Sequence, residues 1–256
     1  MTRILSLYVE EDTLVHKIDP INKILYIIVA VAVPVILPYG PTGLVFIFIS
    51  AVILLASKVF KKVIPLIEFS FLILFSIVVI QGLFHPGNRV VAFNIGRFKF
   101  YREGLLYAFT LSIRVINILV AFSVLVLTTK PSDLIEALVR KGLSPRFGYV
   151  LSSTLQIIPQ MISTVGSIMD AQRSRGLETE GNLAVRIRAF FPLIGPVVMN
   201  SLIETRERAM ALEVRAFNSK EKKTFLNERK DIRSDRVILL GLLFILVLAI
   251  IFRVFL

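Results

Sequence analysis

Apolar residues gather along this chain in five blocks of near-spanning length, and polar residues collect between them. The blocks are Ile21–Leu37 with Pro34 inside it, Leu44–Ala56, Val63–Leu83, Leu105–Leu127 and Val237–Phe255. At 1.5 Å rise per residue each approaches the roughly 30 Å of a hydrocarbon core, the second least well. The first is closed by Pro38-Tyr-Gly-Pro41, and the second by Lys58, Lys61 and Lys62. Between the third and fourth blocks, His85-Pro-Gly-Asn88 reads as a turn; the alternation from Val90 to Phe100 suggests a short hairpin, but a solvated connector is the favoured reading.

The stretch between the fourth and fifth blocks carries a different period. Pro131-Ser-Asp-Leu-Ile-Glu136 opens like a helix, with Ser132 or Asp133 as cap, and Gly142 ends it. Ser144-Pro145 opens the next, a long segment from Arg146 to Arg175 with Pro159 as a kink or break. Its apolar positions, Val150, Leu151, Leu155, Ile158, Met161, Ile162, Val165, Ile168 and Met169, recur at helical spacing. Such a helix lies on or in the membrane interface and does not cross cleanly. Pro192 and Pro196 punctuate, and a second helix is expected from Val197 to Phe217, supported by i,i+4 pairs such as Glu204–Arg208. Asn218 to Asp235 reads as a charged linker. The expected architecture is an all-α membrane protein with about five transmembrane helices and long amphipathic cytoplasmic helices before the last. Its regions are 1–127, 128–236 and 237–256.

Composition agrees with a membrane class. The 256 residues are 55% hydrophobic, with mean hydropathy +0.78. The net charge of +12 lies on residues flanking apolar runs, so positive-inside sorting and anionic lipid explain it better than nucleic acid. Lys58, Lys61 and Lys62 mark one cytoplasmic loop, and the basic stretch from Lys130 to Arg236 marks another. Alternation then places the N-terminus inside and the C-terminus outside, although Arg89, Arg97, Lys99 and Arg102 sit in an outer loop. Glu10, Glu11 and Asp12 before the first block argue against a cleavable signal. Within the blocks, Glu68 is expected to snorkel toward Lys61 or Lys62, and Arg114 and Asn117 face either a helix partner or a headgroup.

Two short strings repeat: Ala171-Gln-Arg-Ser174-Arg175-Gly176 and Ala211-Leu-Glu-Val214-Arg215-Ala216. Each closes a helix-forming segment with an arginine four residues after an alanine. A cation in a last helical turn is ordinary dipole complementation, but two matching ends favour a docking role. Gly176 suits a helix C-cap, whereas alanine tolerates positive φ poorly, which weakens the expected reversal after Arg215.

These ends resemble the paired Ala-Arg-Gly signatures of the EcfT/CbiQ-like transmembrane T component of energy-coupling factor (ECF) transporters. The longer strings Met169–Gly176 and Arg208–Phe217 agree, and Asp12-Thr-Leu-Val-His-Lys-Ile-Asp-Pro20 with Lys23 is similar to the family's N-terminal Ser-x-Leu-His-x-Leu-Asp-Pro-x-x-Lys. Ser174 replaces the first alanine of the signature, and Val214 and Ala216 replace the alanine and glycine around the second arginine. The resemblance implies a non-catalytic scaffold in a bacterial or archaeal cell membrane. Two cytosolic ATP-binding-cassette ATPases would dock on Arg175, Arg215 and their neighbours Ala171, Ser174, Gly176, Ala211, Val214 and Ala216. A small membrane-embedded S component would carry the substrate, a vitamin or transition-metal ion, with ATP bound by the partners and no cofactor here. The residues fit this: there is no Gly-x-x-x-x-Gly-Lys-Ser/Thr loop, no Cys, and only His16 and His85. A conventional ABC permease and an interfacial lipid-modifying enzyme stand as alternatives. The first needs a polar path between spans, the second a clustered acid or histidine site. Asp19, with His16 and Pro20, is read as capping the first span.

Overall fold

The computed structural model describes residues 8–11, 13–37, 41–95, 98–177, 182–219, 221, 224–225 and 233–255. Most of the linker expected at 218–235 lies outside them. The elements are α1 (Leu14–Lys17), α2 (Pro20–Ile36), α3 (Pro41–Ala56), α4 (Phe60–Phe84), β1 (Val91–Ile95), β2 (Phe98–Tyr101), α5 (Arg102–Thr128), α6 (Pro131–Arg140), α7 (Pro145–Ser174), α8 (Leu183–Val214) and α9 (Arg233–Phe255). Four described helices are long and apolar enough to cross a membrane: Phe60–Phe84, Arg102–Thr128, Leu183–Val214 and Asp235–Phe255. The first two expected spans are shorter apolar helices of 17 and 16 residues. The protein is an all-α membrane protein; among the described residues it has one antiparallel hairpin, β1–β2, which follows the turn at His85–Asn88 and stands where the sequence favours a solvated connector.

The chain divides into two compact units, residues 142–228 falling in one and the flanking segments 7–141 and 229–256 in the other. In the flanking unit α5 packs against α2, α3 and α4, α6 packs on α2, and α9 packs against α2 and reaches the core through Ala249. Val29, Ala30, Leu54, Val59, Val63, Ala121 and Val124 form the buried centre. Elsewhere α4 stays apolar on its outside: Phe69 and Leu72 are 80% and 72% exposed, as lipid-facing residues are.

Two buried side chains in this unit serve backbone carbonyls that lack a helical donor. Pro34 within α2 has no N–H, so the Ala30 carbonyl one turn earlier loses its helical donor. Asn117 on α5 supplies one: its Nδ2 donates to Ala30 O, deep in the interior. Asn117 therefore faces a helix partner. Lys23, 4% exposed, donates from Nζ to Thr128 O at 2.9 Å and to Thr129 Oγ1 at 3.2 Å. It thus places a cation on the C-terminal carbonyls of α5, where the helix dipole favours one. Asp19 caps α2 by accepting from Ile21 N at 3.0 Å, as read from the sequence. Asn22 donates to the backbone of Asp235 at 2.8 Å, tying α2 to the start of α9.

The N-terminal segment is held by similar means. Val9 N donates to Leu127 O at 3.1 Å. His16 Nε2 donates to the Val9 carbonyl at 3.1 Å, which leaves Nδ1 to accept from the Thr13 hydroxyl at 2.7 Å. Lys130 and Glu10 pair at 2.6 Å on the surface. Burial pushes the Tyr8 phenol up, against the lowering effect of Lys130.

Several local expectations are corrected. Lys130, not Ser132 or Asp133, is the N-cap of α6, and Pro131 takes the first helical position where its missing N–H costs nothing. Among the described residues Glu68 forms no ion pair with Lys61 or Lys62. The α3–α4 turn reverses at Lys58 itself, with φ 58.

Candidate docking site

The unit of residues 142–228 is built on α7 and α8. Ser144 caps α7 by accepting from Phe147 N at 3.3 Å, and Asn182 caps α8 by accepting from Val185 N at 3.0 Å. Neither proline set breaks these helices. α7 runs through Pro159, and α8 begins at Leu183 and runs through Pro192 and Pro196, fourteen residues before the expected start at Val197. Each proline removes one N–H from the helical ladder, and the bonds on either side carry the helix through it.

α7 and α8 run antiparallel where they touch. Tyr149 and Phe217 meet at 5.3 Å between ring centroids, and Arg208 Nη2 donates to Gln160 Oε1 at 2.6 Å. Arg208 thus bonds across to α7, not to Glu204. Phe217, two residues past Arg215, sits on the beginning of α7, whereas Arg175 follows its end. The structure does not bring the two arginines together: they close opposite ends of the pair, roughly 40 Å apart measured along α7.

The two ends share one backbone geometry. Arg175 and Arg215 are the C-caps, with φ, ψ of −91°, 8° and −81°, 7°. Gly176 follows at φ 89 and Ala216 at φ 53. Gly176 N donates to Arg173 O at 2.9 Å and Leu177 N to Gln172 O at 3.0 Å. Ala216 N donates to Glu213 O at 2.9 Å and Phe217 N to Leu212 O at 3.0 Å. Both are Schellman closures, in which a left-handed residue folds the chain back over the last turn. The reversal after Arg215 is therefore present although alanine, which resists positive φ by about 1–2 kcal/mol, occupies the position. No atom lies within 4 Å of a Cβ built on Gly176, so nothing but its own backbone asks for glycine there.

The neighbours of the arginines are exposed. Ser174 donates from Oγ to Asp170 O at 3.1 Å, Val214 is 88% exposed, and Ala171 and Ala211 lie on the surface. Both arginines are exposed, and neither guanidinium is bonded to another described residue. Along α7, Val150, Leu155, Ile158 and Ile162 stay 42–56% exposed. Two features escaped the sequence reading: the Arg208–Gln160 bond and the Tyr149–Phe217 contact. Both depend on the antiparallel register, which no local pattern encodes.

The sequence matches the model of the CbiQ family, described as cobalt transport protein, over residues 11–225. The chain belongs to the CbiQ family. It is 29% identical over 259 residues to the energy-coupling factor transporter transmembrane protein EcfT of Lactococcus lactis subsp. cremoris, with 95% of each chain covered. It is 29% identical over 243 residues to EcfT of Thermosediminibacter oceani, covering 89% of each. With EcfT of Bacillus subtilis it shares 28% over 236 residues, covering 86% of this chain and 87% of the other. Membership makes this a transmembrane transport protein, and both arginine-bearing ends fall inside the matched region.

Proposed function

We propose that the chain is the scaffold and coupling subunit of an ECF-type ABC importer, taking up vitamins or transition-metal ions through a separate S component. The observation that carries this reading is the pair of Schellman-closed helix ends, each presenting an exposed arginine with no partner among the described residues. A planar guanidinium on a rigid end fits a groove lined by carboxylates or carbonyls, where it forms charge-assisted bonds. Two cytosolic ATPase subunits take one end each. When ATP draws them together, the ends move relative to one another, and α7 and α8 carry that motion to the S component. The N-terminus and both arginine ends lie on the cytoplasmic side, with Lys58, Lys61 and Lys62. The chain itself is non-catalytic, and ATP hydrolysis belongs to the partners.

The test is co-purification and uptake with Arg175→Ala, Arg215→Ala and the double variant. Truncating one buried arginine contact costs on the order of 2–5 kcal/mol of docking free energy. Each single variant is expected to lose ATPase subunits on washing or to uncouple hydrolysis from uptake. Normal transport by the double variant overturns the reading.

A further inference from the structure

The hairpin between α4 and α5 has two chemically different faces. Its register sets Phe93 opposite Phe100, Asn94 opposite Lys99, and Ile95 opposite Phe98. Side chains alternate along a strand, so Phe93, Phe98 and Phe100 share one face while Asn94 and Lys99 share the other. Phe93 and Phe100 stack at 4.9 Å between centroids. Phe100 reaches the last turn of α4, where a Cβ on Gly82 would lie 2.8 Å from its ring. That contact fixes the hairpin beside the C-terminal end of α4. Beyond it the apolar face is uncovered, with Phe93 46% and Phe98 62% exposed.

The hairpin base is rigid. Arg102 N donates to Val90 O at 2.9 Å, and the Glu103 carboxylate accepts from Arg89 N at 3.3 Å and Val90 N at 3.2 Å. Exposed Arg89 and Arg102 flank this base, and exposed Lys99 lies in the second pair from the turn, in the loop whose positive charge runs against the sorting rule.

We propose that this hairpin is a membrane-interface anchor for anionic phospholipid. Phe93 and Phe98 enter the acyl boundary beside α4, Arg89 and Arg102 at the hairpin base contact headgroup phosphates, and Lys99 snorkels to them from the opposite face along its four-carbon stem. Aromatic rings at headgroup level and cations at the same height are the combination such a surface binds. The occupant is lipid because the face opens at the end of an apolar span already exposed along its length, and because its cations complement phosphate. The extra positive charge in this loop then serves adhesion and carries no topological signal.

The chain contains no tryptophan, so Phe98→Trp gives a single fluorescent reporter in the purified full-length protein. It is reconstituted in phosphatidylcholine vesicles with and without phosphatidylglycerol. Blue-shifted emission, loss of intensity with brominated phospholipid, and little quenching by iodide are expected. The brominated-lipid effect grows with phosphatidylglycerol, and Lys99→Glu abolishes that increase. Asn94→Trp on the opposite face stays open to iodide and keeps its intensity with brominated lipid. Water-like emission from Phe98→Trp overturns the proposal. So does protection from both quenchers, which would mean that protein covers the face, and so does equal quenching of the two reporters. Phe93→Trp replaces Phe98→Trp if the latter does not fold, with the same outcomes.

Discussion

Asn117→Ala removes the donor that serves the Ala30 carbonyl, and the cost can be worked from the surroundings. Asn117 is 1% and Ala30 0% exposed, so no water replaces the lost bond. An unmet buried carbonyl costs about 1–3 kcal/mol, while interhelical bonds in membranes average nearer 0.6 kcal/mol. Asn117 Oδ1 is itself buried without a partner, and deleting it returns part of the loss. A net destabilisation of about 1–2 kcal/mol follows. The cause is specific: Pro34 withholds the amide that would otherwise close this turn. In a Pro34→Ala background the residue 34 amide is available, and Asn117→Ala is expected to cost less than half as much. The assay is a double-mutant cycle on reversible unfolding in mixed micelles, followed by far-ultraviolet circular dichroism against the mole fraction of denaturing detergent. Equal costs in the two backgrounds would refute the reasoning, because Asn117 would then be acting through packing alone.

Ala216→Gly relieves the left-handed alanine, so protection of the Ala216 and Phe217 amides against hydrogen exchange is expected to rise about fivefold, for a gain of about 1 kcal/mol. Gly176→Ala is expected to lower protection of the Gly176 and Leu177 amides by a similar factor, and unchanged exchange in either variant would contradict the shared geometry. Lys23→Met keeps the length of the side chain but leaves Thr128 O short of a donor, and is expected to lower unfolding stability by about 1–3 kcal/mol. The Lys130 ammonium holds the Glu10 carboxyl below its usual range by hydrogen bonding and then by charge, and Glu10 in turn holds Lys130 above its own. The pair's contribution is thus present between the two ordinary ranges. It fades as pH falls through the lowered carboxyl value or rises through the raised lysine value. Nuclear magnetic resonance of the Glu10 carboxyl should show the depressed midpoint, and Lys130→Ala should return it to the ordinary range.

The sequence carried much of the fold because most of its signals are local. The caps at Asp19, Ser144 and Gly176, the turn before the hairpin and the apolar spans all follow from residues within one helical turn of each other. The start of α8 was hidden because Pro192 and Pro196 read as breaks, and that reading assumes water ready to satisfy the freed carbonyls. Asn117 showed two plausible settings, and only the neighbouring Pro34, 83 positions earlier in the chain, decided between them. The burial of Lys23 was hidden in the same way, since its acceptors Thr128 and Thr129 lie over a hundred residues away. Of the docking ends, the sequence located both arginines, whereas the opposed placement of the two ends required the antiparallel register of α7 and α8.

Because each Schellman closure is made by bonds spanning only a few residues, the orientation of each arginine-bearing turn is written into the local chain. A protein arriving at either end meets a handle already set, so little conformational entropy is lost on contact and only side-chain rotamers are left to choose. Discrimination between the two handles then falls to what surrounds them, the hydroxyl of Ser174 at one and the bare methyls of Val214 at the other.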